Sequence, residues 1–306
     1  MSISTTELEH KLLLIFFQNF CGPWPPSIFG KRWLLASVDD YRPWVENYPL
    51  ESKGQCGDAL DEYIKTVRPM KRNRSDNAPE FRGEGSSWYQ THDKHNMETP
   101  NNSAPYKPNK NGNAESEVRT QQNAIRACMH GVDPRLWCQC AGYTSHTRNR
   151  VSPDGKKSVY EVAFRRKPKT DYFRRFGCLC YAKIHVMRAD KESTCKMSPR
   201  YEPGVFLGYS RNSCYKVGLW RKDDRCSSGW RFSVNENRTV KFDEAVLVHK
   251  IEDLKPNGAL AAKIIPDVLR DSIIEEHAVA PPGSHEPAGC GSVLPESPLS
   301  NPSDKE

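Results

Sequence analysis

The chain opens with short apolar runs separated by turn residues. An apolar stretch at 12–20 stops at Gly22-Pro23, and Arg32–Asp40 and Trp44–Leu50 are β-type runs, so the opening reads as an antiparallel sheet. Asp58–Val67 sets Leu60, Tyr63, Ile64 and Val67 at helical spacing, and the polar run Lys71–Ser75 then leads into Asp76. Residues 82–113 are rich in Gly, Asn, Ser, Lys and Pro and read as loop. A second helix is expected from about Ala114, with Val118, Ile125 and Met129 on one face. Glu115, Arg119, Gln122 and Arg126 form an adjoining polar stripe, and Gly131 ends the helix. A third helix is expected over Pro134–His146, anchored by Leu136 and Trp137.

The turn sequence within Arg150–Lys157 reads as a domain boundary. Beyond it Phe176–His185, Gly204–Tyr209, Tyr215–Trp220, Trp230–Val234 and Thr239–Val248 are short β-rich runs between turns, the pattern of a small barrel. From about Pro281 the chain is Pro, Ser, Glu and Gly with few large apolar residues, and disorder is expected. The expected divisions are a domain at 1–150, a basic linker at 151–170, a barrel at 171–250 and a mostly disordered tail at 251–306.

A length of 306 residues suits two domains, and 37% hydrophobic with 27% charged residues is ordinary for a soluble protein. The run Leu12–Phe17 is far shorter than the ~20 residues a spanning helix needs, and Glu7 and Glu9 precede it, so neither a membrane partner nor a secretory signal is expected. The Cys total of 11 includes Cys138-x-Cys140 and Cys178-x-Cys180, spacings that fit neither zinc knuckles nor a disulfide framework. Reduced thiols in a nuclear or cytoplasmic protein are expected. His92-x-x-His95 has no Cys-x-x-Cys beside it, so no zinc is expected. The net charge of +7 is modest, but Arg148–Lys191 holds 13 Lys/Arg against 4 Asp/Glu. By itself that stretch fits a solvated linker and a nucleic-acid surface equally.

Carboxylates that converge from separate elements can hold divalent metal beside a scissile phosphate. Asp76 at a strand end and Glu115 in a first helical turn are suitable donors, although a glutamate there also suits the helix dipole. The surrounding sequence carries more. Arg74-Ser75-Asp76-Asn77-Ala78-Pro79-Glu80-Phe81 and the run from Ala104-Pro105-Tyr106-Lys107-Pro108 through Lys110-Asn111-Gly112-Asn113-Ala114-Glu115 resemble the catalytic core of copia-type retrotransposon integrases. Cys21-Gly22-Pro23, Val38-Asp39-Asp40-Tyr41, Trp44-Val45, Tyr48-Pro49-Leu50, Tyr160-Glu161-Val162, Arg175–Ala182 and Gly204–Ser210 extend the resemblance over residues 16–247.

The resemblance implies an α/β protein. Its parts are an RNase H-like core, with a mixed five-stranded sheet and helices, a small SH3-like β-barrel and the tail. It implies DNA integration by metal-dependent strand transfer with Mg²⁺ or Mn²⁺, DNA as partner, and a homo-oligomer. Asp76 and Glu115 match the second and third metal-binding carboxylates of the family. The first stands two residues before Cys-Gly-Pro, where this chain has Asn19, a carbonyl oxygen without charge. Weakened metal binding and impaired catalysis follow as expectations, unless Asp39 or Asp40 compensates. The family's zinc module does not precede the core, as in a fragment of a polyprotein, and the stretch from Lys53 to Asp76 is shorter than usual. Lys107, Lys110, Arg119, Arg165, Arg166, Lys167 and Lys169 are then the expected DNA-contacting cations, with a helix salt bridge as the alternative account of Arg119. Phe164, Tyr172 and Phe173 read as barrel anchors. The alternative function is a non-catalytic DNA-binding or adaptor remnant of a transposable element.

Overall fold

The computed structural model describes residues 16–39, 44–66, 74–75, 79–81, 83, 85–97, 112–152, 155–184, 200–210, 212–255 and 258–260, with backbone alone at 16–17, 66, 74–75 and 112–114. In chain order the first elements are β1 (Phe16–Cys21), β2 (Trp33–Asp39), β3 (Val45–Leu50), α1 (Cys56–Thr66), β4 (Arg74–Ser75) and α2 (Ser87–Lys94). Three helices follow, α3 (Gly112–Cys128), α4 (Trp137–Arg150) and α5 (Val159–Phe164). The rest is β: β5 (Cys178–Lys183), β6 (Tyr201–Tyr209), β7 (Tyr215–Lys222), β8 (Trp230–Asn237) and β9 (Val240–Leu247).

The first sheet has the order β3-β2-β1-β4, with β4 parallel to β1 and the other pairs antiparallel. Of the expected five strands, four lie among the described residues. Leu34 to Asp39 of β2 are all buried, which follows from helices covering both faces of a central strand. Strand alternation sorts the side chains. Leu35, Tyr48 and Leu50 pack on Ala59, Leu60 and Tyr63 of α1 and on Trp88 of α2. Cys21, Leu34 and Ala36 face Val118 and Ile125 of α3 and Cys140 and Ala141 of α4.

Helix α2 lies within the segment read as loop. Ser86 caps it by accepting from the Tyr89 amide at 3.3 Å, and Trp88 and His92, one turn apart, are its buried contacts. One aromatic per turn is enough to dock a short helix but too sparse to register as periodicity. Helix α4 runs to Arg150, beyond the expected His146, and α5 occupies part of the segment read as linker.

The second sheet is five antiparallel strands in the order β8-β7-β6-β5-β9, with register shifts near Cys178 and Gly208. Tyr172 is fully buried among Cys178, Cys180, Phe206, Tyr215 and Val217, and Phe173 packs against them. Phe164 is a correction. It packs edge-on to Trp44 at 5.9 Å, beside Tyr160, and so anchors α5 to the first half.

The two halves share one core, because Leu179, Val205, Leu207 and Phe232 of the second sheet meet α3 and α4 in the same cluster as Cys21, Leu34 and Ala36. A polar clasp reinforces the join. Buried Asp133 takes Arg135 Nη2 at 2.7 Å and the Ile251 amide at 3.1 Å, while Arg135 also reaches Glu252 at 2.7 Å. Among the described residues no helix is long and apolar enough to cross a membrane.

Candidate functional site

The sequence-predicted positions lie on or next to three elements, β1, β4 and α3. The parallel pairing of β1 with β4 sets Phe17 opposite Arg74 and Gln18 opposite Ser75, the residues just before Asn19 and Asp76. Asp76 itself, with Asp40, Lys107 and Lys110, lies outside the described residues.

Side-chain contacts fix the direction of α3. At one end Glu117 pairs with Arg148 at 3.2 Å, and Asn149 holds the Val45 amide at 2.9 Å in the sheet row of Val38 and Phe17. At the other end Gln122 contacts Cys21 and the Cys140 thiol lies 3.9 Å from the Ile125 carbonyl. Helix and strand therefore run the same way. From the Cys21–Gln122 contact, Asn19 is about 7 Å back along β1 and Glu115 about 10 Å back along α3. Asn19 shares the strand face of Cys21, and Glu115 shares the helix side of Gln122, two turns on. The half-buried amide of Asn19 and the exposed carboxylate of Glu115 thus belong to one neighbourhood.

Asp39 is buried, and its register opposite Phe16 gives it the sheet face of Ser37 and Leu35, which α1 covers. Alternation therefore puts it on the opposite sheet face from Asn19. Arg119 is exposed one turn beyond Glu115, with no ion-pair partner among the described residues.

Two divalent ions need several anionic oxygen ligands. The described members of this neighbourhood offer one carboxylate and one neutral amide, and among the described residues no group of three or more His, Cys, Asp or Glu could hold a metal ion. The described donors do not fit a two-metal centre. His92 and His95 turn to different partners, the Trp88 carbonyl at 2.8 Å and Asp61 at 2.6 Å.

The expected DNA-contacting cations of the second region are exposed. Arg165 ends α5 in the left-handed conformation (φ 52°), and Arg166, Lys167 and Lys169 follow on the surface. Arg166 donates to the Tyr160 hydroxyl at 2.7 Å, and the Arg150 guanidinium stands 5.0 Å from the centre of the same ring. Tyr160 therefore orders two cations at the end of α4.

One feature has no signal in the sequence. A cleft of about 560 Å³ lies between β3, α1 and α4 on one side and β6 and β7 on the other. Trp44, Tyr143, His146 and Tyr209 line it, and its charged residues carry both signs, Arg150 and Lys216 against Glu46 and Glu62. His146 stacks on Tyr209 at 4.4 Å and bonds the Tyr172 hydroxyl at 2.9 Å. Burial, with Arg150 and Lys216 nearby, holds its pKa well below the ordinary histidine value. These residues come from segments far apart in the chain, so no local motif joins them.

Fold and site define a mixed α/β protein whose two sheets share a helical layer. No protein-family model matches the chain, and no curated protein matches it in sequence. Among solved structures, the catalytic core domain of BIV integrase is similar at a TM-score of 0.39 and 16% identity, over 48% of this chain and 91% of that one. A likeness of that degree carries no statement about activity.

Proposed function

We propose that this chain is an integrase-like DNA-binding protein whose metal-dependent strand transfer is impaired. In the intact reaction, metal-bound carboxylates would assist a DNA 3′-hydroxyl in attacking a target phosphodiester. Asp76 and Glu115 are the retained ligands in this reading, and Asn19 occupies the place of the lost one. Mg²⁺ or Mn²⁺ would be held weakly.

The observation that supports the reading is the arrangement of β1, β4 and α3: Gln122 of α3 contacts Cys21 of β1, and β4 pairs with β1 and ends one residue before Asp76. The series of integrase-like motifs supports it, and so does the strand order of the second sheet, which fits a small SH3-like barrel. The exposed cations Arg165, Arg166, Lys167 and Lys169 suit largely sequence-independent phosphate contact. A nuclear or cytoplasmic protein that associates with copies of itself completes the proposal. The neutral Asn19 favours the second reading, a remnant that binds DNA or protein without catalysis.

Fluorescence anisotropy on short duplexes tests DNA binding. Affinity should fall with salt at about 0.9 log units per log unit for each phosphate contact. Replacing Arg165, Arg166, Lys167 and Lys169 together with Ala should flatten that slope by roughly 3 to 4 units. Asp76→Asn and Glu115→Gln should leave binding intact. Affinity that ignores salt, or ignores the four substitutions, rejects the proposed surface.

A further inference from the structure

Cysteine chemistry at the α3–α4 junction is not absorbed by the DNA-binding reading. Among the described residues Cys21, Cys56, Cys128, Cys138, Cys140, Cys178, Cys180, Cys214 and Cys226 are all free thiols. Most are buried in apolar surroundings, where burial pushes the Cys178 and Cys180 thiols up and makes them poor nucleophiles. Cys128 differs. It ends α3, is only half-buried, and packs against the cluster that holds the fully buried Cys140 of α4.

Helix geometry brings the two residues near one another. The Cys140 thiol lies against the Ile125 carbonyl at 3.9 Å, and Cys128 follows Ile125 by three residues, which sets both on one side of the last turn of α3. Packing of α3 on α4 in the shared core brings the two side chains together from helices that are antiparallel neighbours.

We propose that Cys128 is a site of oxidation by hydroperoxides and that Cys140 resolves it into a disulfide joining α3 to α4. The Cys128 thiolate attacks the terminal peroxide oxygen, the O–O bond breaks, and the departing hydroxide or alkoxide takes the proton the thiol gave up, leaving as water or an alcohol and Cys128 as sulfenic acid. The Cys140 thiol then attacks the Cys128 sulfur, the S–O bond breaks, and the hydroxyl leaves with the Cys140 proton as water. Two thiols and one hydroperoxide thus become one disulfide, one water, and the water or alcohol left by the reduced peroxide. Electrostatics assist the first step, because the neighbouring Cys140 thiol lowers the Cys128 pKa while burial opposes it. Cys140 is raised by burial and by the same contact, so it acts second, as the proton donor and resolving thiol.

The bond would close a short loop around Gly131–Leu136, the segment that carries Asp133 and its clasp to the second sheet. Oxidation should therefore raise Tm, through the restricted unfolded chain.

The test treats the full-length folded protein with hydrogen peroxide and maps non-reduced peptides by mass spectrometry. A Cys128–Cys140 cross-linked peptide, two hydrogens lighter than its parts, is the expected product, accompanied by a higher Tm that dithiothreitol reverses. Cys128→Ser, at a half-exposed position, should remove both. Cys140→Ala should leave a Cys128 sulfenic acid that dimedone labels. Overturning results are the absence of that cross-link in wild type, an equal yield of pairs with Cys226, or a Tm rise that persists in Cys128→Ser.

Discussion

Asn149 acts as a substitute strand. Its side-chain amide accepts from the Val45 amide at 2.9 Å and donates to the Val45 carbonyl at 2.8 Å, so the free edge of β3 is satisfied by one residue of α4. Val45 is fully buried, and Asn149→Ala would strand both backbone groups away from water. The expected loss is about 2–6 kcal/mol, at roughly 1–3 per orphaned group, read from urea unfolding. Asp133 makes a second residue-scale case. Burial raises its pKa, but Arg135 and the amides of Ile251 and Arg135 outweigh that, and the folded value lies below the ordinary one. The hydrogen bond from Arg135 also holds Glu252 low. Both folded values lie below the unfolded ones, so this stability is fully present above about pH 4 and is lost as pH falls through the folded values. Asp133→Asn should flatten the acid limb of stability against pH; an unchanged limb would show that the clasp contributes nothing there. Neither residue was legible in the sequence, where Asn149 sat among arginines and Asp133 in a turn, because their partners lie on other elements.

Elements with strong periodicity were readable. The spacing of Val118 and Ile125 anticipated α3, and the β-rich runs after Phe176 anticipated five strands, because each such element buries one regular face. Helices α2 and α5 were not readable, since α2 docks through two aromatics in an otherwise polar sequence and α5, at 6 residues, is too short to show a period. Gly177 links motif to element. It takes φ 75° at the entry to β5, its amide donates to Phe206 and its carbonyl accepts from Val248, and a side-chain carbon there would fall on the methyls of Val132. Gly177→Ala should cost about 2–5 kcal/mol, by adding left-handed strain to overpacking where the halves meet. A loss below about 0.5 kcal/mol, the range of ordinary surface changes, would contradict that packing.

At the scale of the whole molecule, the two halves share one hydrophobic cluster across the boundary that the sequence suggests at Arg150–Lys157. That boundary rested on turn residues, which mark a change of direction and say nothing of what packs across it. The motifs that mark the candidate site stand in order along the sequence, and the strand register adds which sheet face Asn19 and Asp39 take. That register separates Asp39 from Asn19 and leaves the first-strand position with a neutral amide. The central claim is that this amide is the defect. Strand transfer of a pre-cut DNA 3′ end with Mg²⁺ or Mn²⁺, compared between wild type and Asn19→Asp, measures it directly. The account predicts roughly tenfold or more joining in Asn19→Asp, abolished by adding Asp76→Asn. A folded, DNA-binding Asn19→Asp protein that joins no more DNA than wild type would contradict it.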